Sequence, residues 1–199
     1  MLDAYQAERH PITEQVSVYA MNHSAAMARA RREVPADIEA PGPEGDAIRA
    51  RFGKASYDLN VTQYCCAGLN FGSYYDASPL ILSDGEPPPP YSMGSFTPST
   101  VPGCRTPDLW LADGRSLYDA MGPDDTLLRF ADAADPGPIL AAAAAQGLPP
   151  RLLDVRATET APYRHAMVIS RPDQHVAWRG DVAPAAPEHL VARLRGLVS

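Results

Sequence analysis

Proline dominates the middle of this chain and limits what that part can fold into. The sequence of 199 residues holds 21 prolines, and four of them are consecutive, at 87–90. Proline has a fixed φ angle and no backbone N–H, so this run must be extended or polyproline II. From Tyr91 to Pro107, serines, threonines, glycines and further prolines follow without helical or strand periodicity. A long loop is therefore predicted here, with a boundary between two differently patterned parts of the chain.

The part before this boundary is predicted to be mainly helical. Residues 2–33 have apolar positions that can share helical faces, and Pro11 is expected to interrupt the helix, which restarts just beyond it. A short second helix is predicted over residues 46–52, with Asp46 as its N-cap and Gly53 as its stop. An irregular, aromatic-rich stretch and a short strand-like run follow, at residues 64–75 and 79–82.

The part after the boundary alternates strands and helices. Ser116 is expected to cap a short helix, and the apolar side of the last helix is predicted to carry Leu190, Val191, Leu194 and Val198. The order of elements predicts an α/β domain with a thioredoxin-like arrangement. The predicted strands are 109–111, 126–130, 152–155, 166–170 and 175–178, and the predicted helices start at 116 and span 138–146 and 187–197.

Three regions follow from these patterns. Residues 1–60 form a helical segment, residues 61–107 an irregular aromatic- and proline-rich connector, and residues 108–199 the thioredoxin-like domain. No internal repeat divides the chain further.

Charge and composition exclude several classes of partner. A formal charge of −7 disfavours nucleic acid and anionic membrane surfaces. Charged residues occur throughout the first thirty positions, which is unlike a signal peptide, and the longest apolar run, Ile139–Ala145, is too short to cross a bilayer. Three cysteines do not form a disulfide framework. A cytoplasmic protein is expected, without a nucleic-acid, membrane or metal partner.

The cysteines give little support to redox chemistry. A thioredoxin-like redox module needs a C-x-x-C motif, in which one thiolate attacks and the other resolves. Here Cys65 and Cys66 are adjacent, and Cys104 stands alone in the connector. Arg105 could lower the pKa of Cys104, which leaves a thiol-dependent antioxidant enzyme as one hypothesis. A partly buried loop thiol is the favoured interpretation.

Metal, hydrolase and nucleotide sites are not indicated either. The histidines have no metal-ligand spacing, Gly94-Ser95 lacks a nucleophile elbow, and Asp124-Asp125 is expected to lie in a turn. Neither a G-x-G-x-x-G fingerprint nor a phosphate-binding P-loop occurs. The histidines are His10, His23, His165, His175 and His189.

Six blocks of the sequence occur in a recognisable order. The first is residues 1–11, MLDAYQAERHP, and the last is residues 171–180, RPDQHVAWRG. Between them lie GLNFGSYYDASP at 68–79, PSTVPGCRTP at 98–107, WLADGRSLYD at 110–119 and TLL at 126–128. In content and order these blocks resemble the C-terminal region of the FAD-dependent aromatic hydroxylases. That family includes phenol hydroxylases, 2,4-dichlorophenol hydroxylase and 3-(3-hydroxyphenyl)propionate hydroxylase.

The resemblance implies a monooxygenase in which FAD is reduced by NAD(P)H and inserts one oxygen atom from O2 into a phenolic ring. It implies a thioredoxin-like C-terminal domain without redox cysteines, associated with packing and subunit contacts. It also implies that the FAD-binding motifs lie upstream of the first block. No catalytic, cofactor-binding or metal-binding residue is therefore carried over to this chain. Neither FAD nor NAD(P)H is expected to bind it alone.

Two segments, Gly45-Asp46 and residues 64–75, carry residue types that a complete enzyme of this family could use for its cofactor or substrate. The family holds the FAD ribityl chain with a Gly-Asp pair, but Gly45-Asp46 is expected to start a helix. The aromatic stretch at 64–75 could lie near the substrate of a complete enzyme, although core packing is favoured because aromatic side chains bury so much area.

Two hypotheses stay open for the chain as a whole. In the first it is the C-terminal portion of an aromatic-ring monooxygenase, inactive alone, which needs an FAD-binding polypeptide in trans. Residues 1–60 would then expose Val16, Val18 and Tyr19, which the complete enzyme covers. In the second it is a non-catalytic dimerisation or protein-interaction module.

Overall fold

A computed structural model describes residues 2–130, 132, 134–157 and 159–197. It contains six helices and four strands among those residues. The helices are α1 (Leu2–Arg32), α2 (Gly42–Tyr64), α3 (Ala67–Phe71), α4 (Leu117–Ala120), α5 (Gly137–Ala145) and α6 (Pro187–Leu194). The strands are β1 (Thr126–Arg129), β2 (Arg151–Asp154), β3 (Met167–Ser170) and β4 (Val176–Gly180).

Helix α1 runs without a break through Pro11. The predicted interruption is wrong, although a proline inside a helix removes a hydrogen bond and costs about 3 kcal/mol. Contacts on both sides of the proline hold the helix together. Glu8 pairs with Arg171 before it, and after it the Tyr19 hydroxyl donates to the Thr62 carbonyl of α2. Tertiary contacts therefore outweigh the local preference.

Helix α2 is much longer than the predicted 46–52. Pro41 precedes it, so Asp46 is not the N-cap, and Gly53 lies inside the helix instead of ending it. Gly45 is needed in the first turn, since a Cβ there would stand 1.8 Å from the Ala40 carbonyl oxygen. The loop before α2 thus lies too close to the helix for any residue larger than glycine at position 45.

The remaining differences concern short apolar runs. Helix α3 lies within the stretch predicted to be irregular. Residues 79–82 are not a strand, and they touch the sheet through one hydrogen bond from the Leu82 N–H to the Ala177 carbonyl. Residues 109–111 make only isolated bridges, from Trp110 to Ser116 and from Leu111 to Ala157. Such short runs lack the pairing length that defines a strand.

The four strands form one mixed sheet in the order β2-β1-β3-β4. Strands β1 and β2 are parallel and joined through α5, whereas β3 pairs antiparallel with both β1 and β4. The prediction of a mixed α/β fold is confirmed. Strands β1 to β4 and helices α4 to α6 lie where the sequence predicted them, within a few residues at each end, and Val198 lies outside the described residues.

Alternate side chains of the central strands supply two cores, one on each face of the sheet. Leu128, Val168 and Val176 pack with Leu117 of α4 on one face. On the other face Leu127, Ile169, Ala177 and Trp178 pack with Ile139 of α5 and Leu190 of α6. Both β1 and β3 are buried on both sides, which matches their continuous apolar sequence.

The proline-rich loop is irregular, as predicted, and its end lies against the sheet. Cys104 and Val176 form a backbone hydrogen bond, and the Gly103 N–H donates to the Val176 carbonyl. Gly103 has φ of +101°, and a Cβ there would lie 2.7 Å from the Tyr75 carbonyl oxygen. The segment thus needs a glycine to pass between Tyr75 and β4.

No helix in the described part of the chain is both long and apolar enough to cross a membrane.

Candidate functional site

A buried polar cluster joins α1 to the turn between β3 and β4. We call it the junction. It brings together residues from three of the six sequence blocks: Glu8, Arg9, Tyr75, Ser78, Arg171, Asp173 and His175. Each block is visible in the sequence, but the sequence does not predict that charged side chains of different blocks pair.

Glu8 and Arg171 form the centre of the junction. The side chain of Glu8 is 4% exposed and that of Arg171 12%. Both guanidinium Nη atoms donate to the carboxylate, and the second contact measures 3.0 Å. The Ser78 hydroxyl also donates to Glu8 Oε1. A fork-shaped pair of this kind fixes the orientation of α1 on the sheet as well as its position.

Asp173 shares the guanidinium of Arg171 at 3.1 Å and lies 3.7 Å from Arg9. Burial by itself raises the pKa of Asp173, but hydrogen bonds from His175 and the charge of Arg171 outweigh it and lower that pKa to about 2. Burial by itself lowers the pKa of Arg171, but the carboxylates of Glu8 and Asp173 outweigh it and raise that pKa above its ordinary value. The opposite charges therefore stay ionised together.

Tyr75 provides the apolar floor of the junction. Its ring stacks on that of His175 with centroids 4.0 Å apart, and the guanidinium groups of Arg9 and Arg171 lie 5.4 and 5.5 Å from its centroid. Burial raises the pKa of Tyr75 to about 12. Stacked rings and paired charges favour a holding role, since the Asp173 carboxylate is engaged by Arg171 and the Ser78 hydroxyl by Glu8.

A second buried arginine fixes the turn ahead of the proline run. Arg179 of β4 donates to Asp84 Oδ2 at 2.7 Å, to Thr100 Oγ1 at 3.2 Å and to Glu86. The two carboxylates balance its charge. The hydrogen bonds from Arg179 to Asp84 and Glu86 hold the 84–86 turn against the sheet.

The cysteine positions disfavour thiol chemistry. Cys104 is buried, and burial raises its pKa to about 11, which is the opposite of the expected effect of Arg105. The Arg105 side chain bonds instead to Gln174 and to the Tyr118 hydroxyl. Cys66 is buried and Cys65 is exposed. A thiol with a raised pKa carries almost no thiolate near neutral pH.

No metal site forms among the described side chains, and the aromatic stretch is only partly buried. Within the described ranges, no three histidine, cysteine or acidic side chains are grouped to hold a metal ion. His175 belongs to the junction, and His23 lies on α1 with its ring centroid 6.3 Å from that of Tyr19. Of the aromatic stretch, Tyr75 is buried, whereas Tyr64 and Phe71 are exposed. The core-packing interpretation therefore holds for Tyr75 and not for the whole stretch.

At the strand–helix–strand unit of the described sheet, the residues present do not fit FAD. A flavin dinucleotide needs free N–H groups at a helix N-terminus after a strand, where its pyrophosphate binds. In the described sheet that place is the start of α5, between β1 and β2. Pro136 and Pro138 lack an N–H there, and the Gly137 N–H already donates to the Asp135 carboxylate at 2.8 Å. The carboxylate would also repel a pyrophosphate.

The Gly-Asp pair is similarly engaged. Asp46 Oδ1 accepts from Arg49, whose other amino group donates to the carbonyls of Ile38 and Ala40. These contacts hold the loop before α2 and place Asp46 in the first turn of a helix, where its side chain is 73% exposed.

Comparison with known proteins places these features in a family. The model of the aromatic-ring hydroxylase C-terminal region matches residues 99–198. The chain belongs to the aromatic-ring hydroxylase family. It is 26% identical to the FAD-dependent monooxygenase opdD of Penicillium oxalicum and, over a longer alignment, 26% identical to the phenol 2-monooxygenase of a Pseudomonas species. These alignments cover 89% and 94% of the chain.

Solved structures extend the likeness to the helical half. The rebeccamycin biosynthetic enzyme RebC with reduced flavin is 31% identical, with a TM-score of 0.81 over 100% of this chain. The flavin-dependent monooxygenase PieE, at 22% identity and a TM-score of 0.71, shares the fold. The chain spans 36% of the length of the two curated relatives and 37% of RebC. Helices α1 to α3 and the sheet therefore correspond to about the last third of such proteins.

Proposed function

We propose that this chain is the C-terminal portion of an FAD-dependent aromatic-ring monooxygenase and acts with an FAD-binding polypeptide that supplies the flavin site. In that assembly, NAD(P)H would reduce FAD, and the reduced flavin would pass one oxygen atom of O2 to a phenolic ring. This chain would contribute the sheet and the junction that hold α1 and α2 in place. It is inactive alone.

The proposal rests on one observation: the chain belongs to the aromatic-ring hydroxylase family, but the start of α5 does not suit a dinucleotide. The family model covers residues 99–198, yet at the start of α5 two prolines have no N–H and that of Gly137 is already bonded to Asp135. The first two helices add support, because Val16 and Val18 are 37% and 52% exposed. Tyr19, which was expected to be exposed as well, is half-buried against α2. Exposed apolar positions along long helices indicate a missing partner surface.

We also propose a thioredoxin-like fold for residues 108–199. The parallel β1–α5–β2 unit, the antiparallel β3–β4 hairpin and the sheet order β2-β1-β3-β4 support it. Without a C-x-x-C motif, this fold serves as a packing unit.

Purification from two hosts tests the proposal. Made alone in a foreign host, the tagged chain should be colourless. Purified under native conditions from its own host, it should bring down a flavin-containing polypeptide and oxidise NADH or NADPH when phenols are added. A colourless chain from both hosts would contradict the proposal.

The second candidate is a non-catalytic dimerisation or protein-interaction module. Trp110 and Val182 favour it, because they are 71% and 76% exposed on the part of the chain that has its own core. Sedimentation of the purified chain separates the two. A stable dimer that Trp110→Ser abolishes, with no flavoprotein partner, would support the module.

A further inference from the structure

A buried carboxylate, that of Asp125, lies beside the junction. Thr126 of β1 pairs with Ser170 of β3 in an antiparallel ladder, so the residues just outside that pair, Asp125 and Arg171, lie opposite each other. Asp125 is 9% exposed, and no hydrogen bond from a described residue stabilises its carboxylate. The sheet therefore places an acidic group without such support next to the arginine that holds α1.

The junction is electrically balanced without Asp125. Glu8 and Asp173 contribute two negative charges, and Arg9 and Arg171 contribute two positive ones. An ionised Asp125 adds a third carboxylate, which repels Asp173 and competes with Glu8 for the same guanidinium. The charge state of Asp125 thus bears directly on the pair that fixes α1.

The charged groups around Asp125 come from each neighbouring element. Arg171 and Asp173 belong to the β3–β4 turn, and Asp124 is on the same segment as Asp125. Arg151 of β2 donates its backbone N–H to the Asp125 carbonyl. Burial raises the pKa of Asp125 to about 6, with help from the two carboxylates and against the attraction of Arg171. The proton is therefore released between about pH 5 and about pH 7.

Helix α1 reaches the sheet through the junction. Among the described helices and strands its main packing partner is α2, and Glu8 and Arg9 supply its ion pairs with the β3–β4 turn. None of the junction charges belongs to the two apolar cores of the sheet. A weaker pair between Glu8 and Arg171 therefore loosens α1 while the sheet stays packed.

We propose that Asp125 is a proton-operated switch that sets how tightly α1 docks on the sheet. When Asp125 is protonated, the pair between Glu8 and Arg171 is undisturbed and α1 is docked. When Asp125 releases its proton, the added charge draws Arg171 from Glu8 and α1 opens. The exposed Val16 and Val18 move with the helix, so the surface offered to a partner changes with pH. The switch lies within this chain and does not depend on the proposed function.

Hydrogen exchange of the unmodified 199-residue chain tests the switch. Protection is expressed relative to the intrinsic exchange rate and compared at about pH 5 and about pH 7.5. Residues 6–20 of α1 should be less protected than β1 and β3 at both pH values, because the opening is local. If opening returns Asp125 to a solvated pKa of about 3.9, the protection of α1 should also fall about tenfold over that interval. This comparison needs no variant, so it decides the matter even if a substitution prevents folding.

Variants locate the switch. Asp125→Asn has no proton to release, so its α1 should be equally protected at both pH values. Glu8→Gln should lose protection of α1 already at about pH 5, because the docking pair is broken. Asp37→Asn is the matched control, since Asp37 is exposed in the loop before α2, and it should behave as the unmodified chain does. Protection of α1 equal to that of β1 and β3, protection that does not change with pH, or an undiminished pH dependence in Asp125→Asn would overturn the proposal.

Discussion

Glu8 and Arg171 stand 163 positions apart in the chain and form a two-pronged buried contact. Neither residue is unusual in the sequence, because a single glutamate on a helix and a single arginine at a turn are ordinarily solvated. Their partnership follows only from the fold, which lays α1 across the β3–β4 turn. At the residue scale, the sequence could indicate that both blocks matter but not that their charges meet.

Loss of the Glu8 charge should destabilise the protein strongly. Removing one partner of a buried pair typically costs about 3–5 kcal/mol, and Glu8→Gln should come near the lower end because Asp173 still contacts Arg171. Lys54→Gln removes an exposed pair on α2 and should cost under about 0.5 kcal/mol. Urea unfolding measures both. Equal costs would show that the junction does not hold α1.

Asp125 gives the protein a pH dependence of stability. Burial raises the pKa of Asp125 to about 6, whereas an unfolded aspartate has a pKa of about 3.9. The folded state thus binds the proton more tightly. Its contribution to stability is complete below about pH 4 and is lost as the pH rises through about 6.

Urea unfolding at about pH 5 and about pH 7.5 tests this effect. The unmodified chain should lose about 1–3 kcal/mol more over that interval than Asp125→Asn, which has no proton to release. Asp37→Asn serves as the control, because that side chain is exposed in the loop before α2 and should leave the loss unchanged. An equal loss in Asp125→Asn and the unmodified chain would contradict the assignment.

The two halves of the chain differ in how closely the sequence predicts their helices and strands. Strands β1 and β3 and helix α6 are short segments with strong apolar patterns, and each was located within a few residues. The long helices were predicted less well. Pro11 and Gly53 signal helix ends locally, but α1 and α2 continue through them. Such signals are weak preferences that contacts between distant residues override.

The docking of the proline-rich segment on β4 depends on Gly103. Alanine there would combine a φ of +101° with a Cβ 2.7 Å from the Tyr75 carbonyl oxygen, at a cost of about 2–4 kcal/mol. Gly114→Ala is the control, because its φ is +83° and nothing lies within 4 Å of the added Cβ. Its cost should be about 1 kcal/mol. Equal losses in thermal or urea unfolding would show that the segment is not closely packed.

At the scale of the whole molecule, the chain is an internally packed sheet with a pair of long, mostly exposed helices attached at the junction. It corresponds to 36% of the length of its curated relatives. The sequence blocks predicted the family, which the family model confirmed over residues 99–198. The resemblance predicts that the flavin motifs lie upstream of the first block. In the described sheet, the start of α5 has two prolines and the Asp135 carboxylate where a pyrophosphate would need free N–H groups.

We propose that this member of the aromatic-ring hydroxylase family does not hold FAD by itself. Titration of the purified chain with FAD, followed by quenching of flavin fluorescence and by gel filtration, tests this. We expect that no saturable quenching occurs and that the protein elutes without flavin. A stoichiometric FAD complex that survives gel filtration would overturn the proposal, because it would require a dinucleotide site that the start of α5 does not provide.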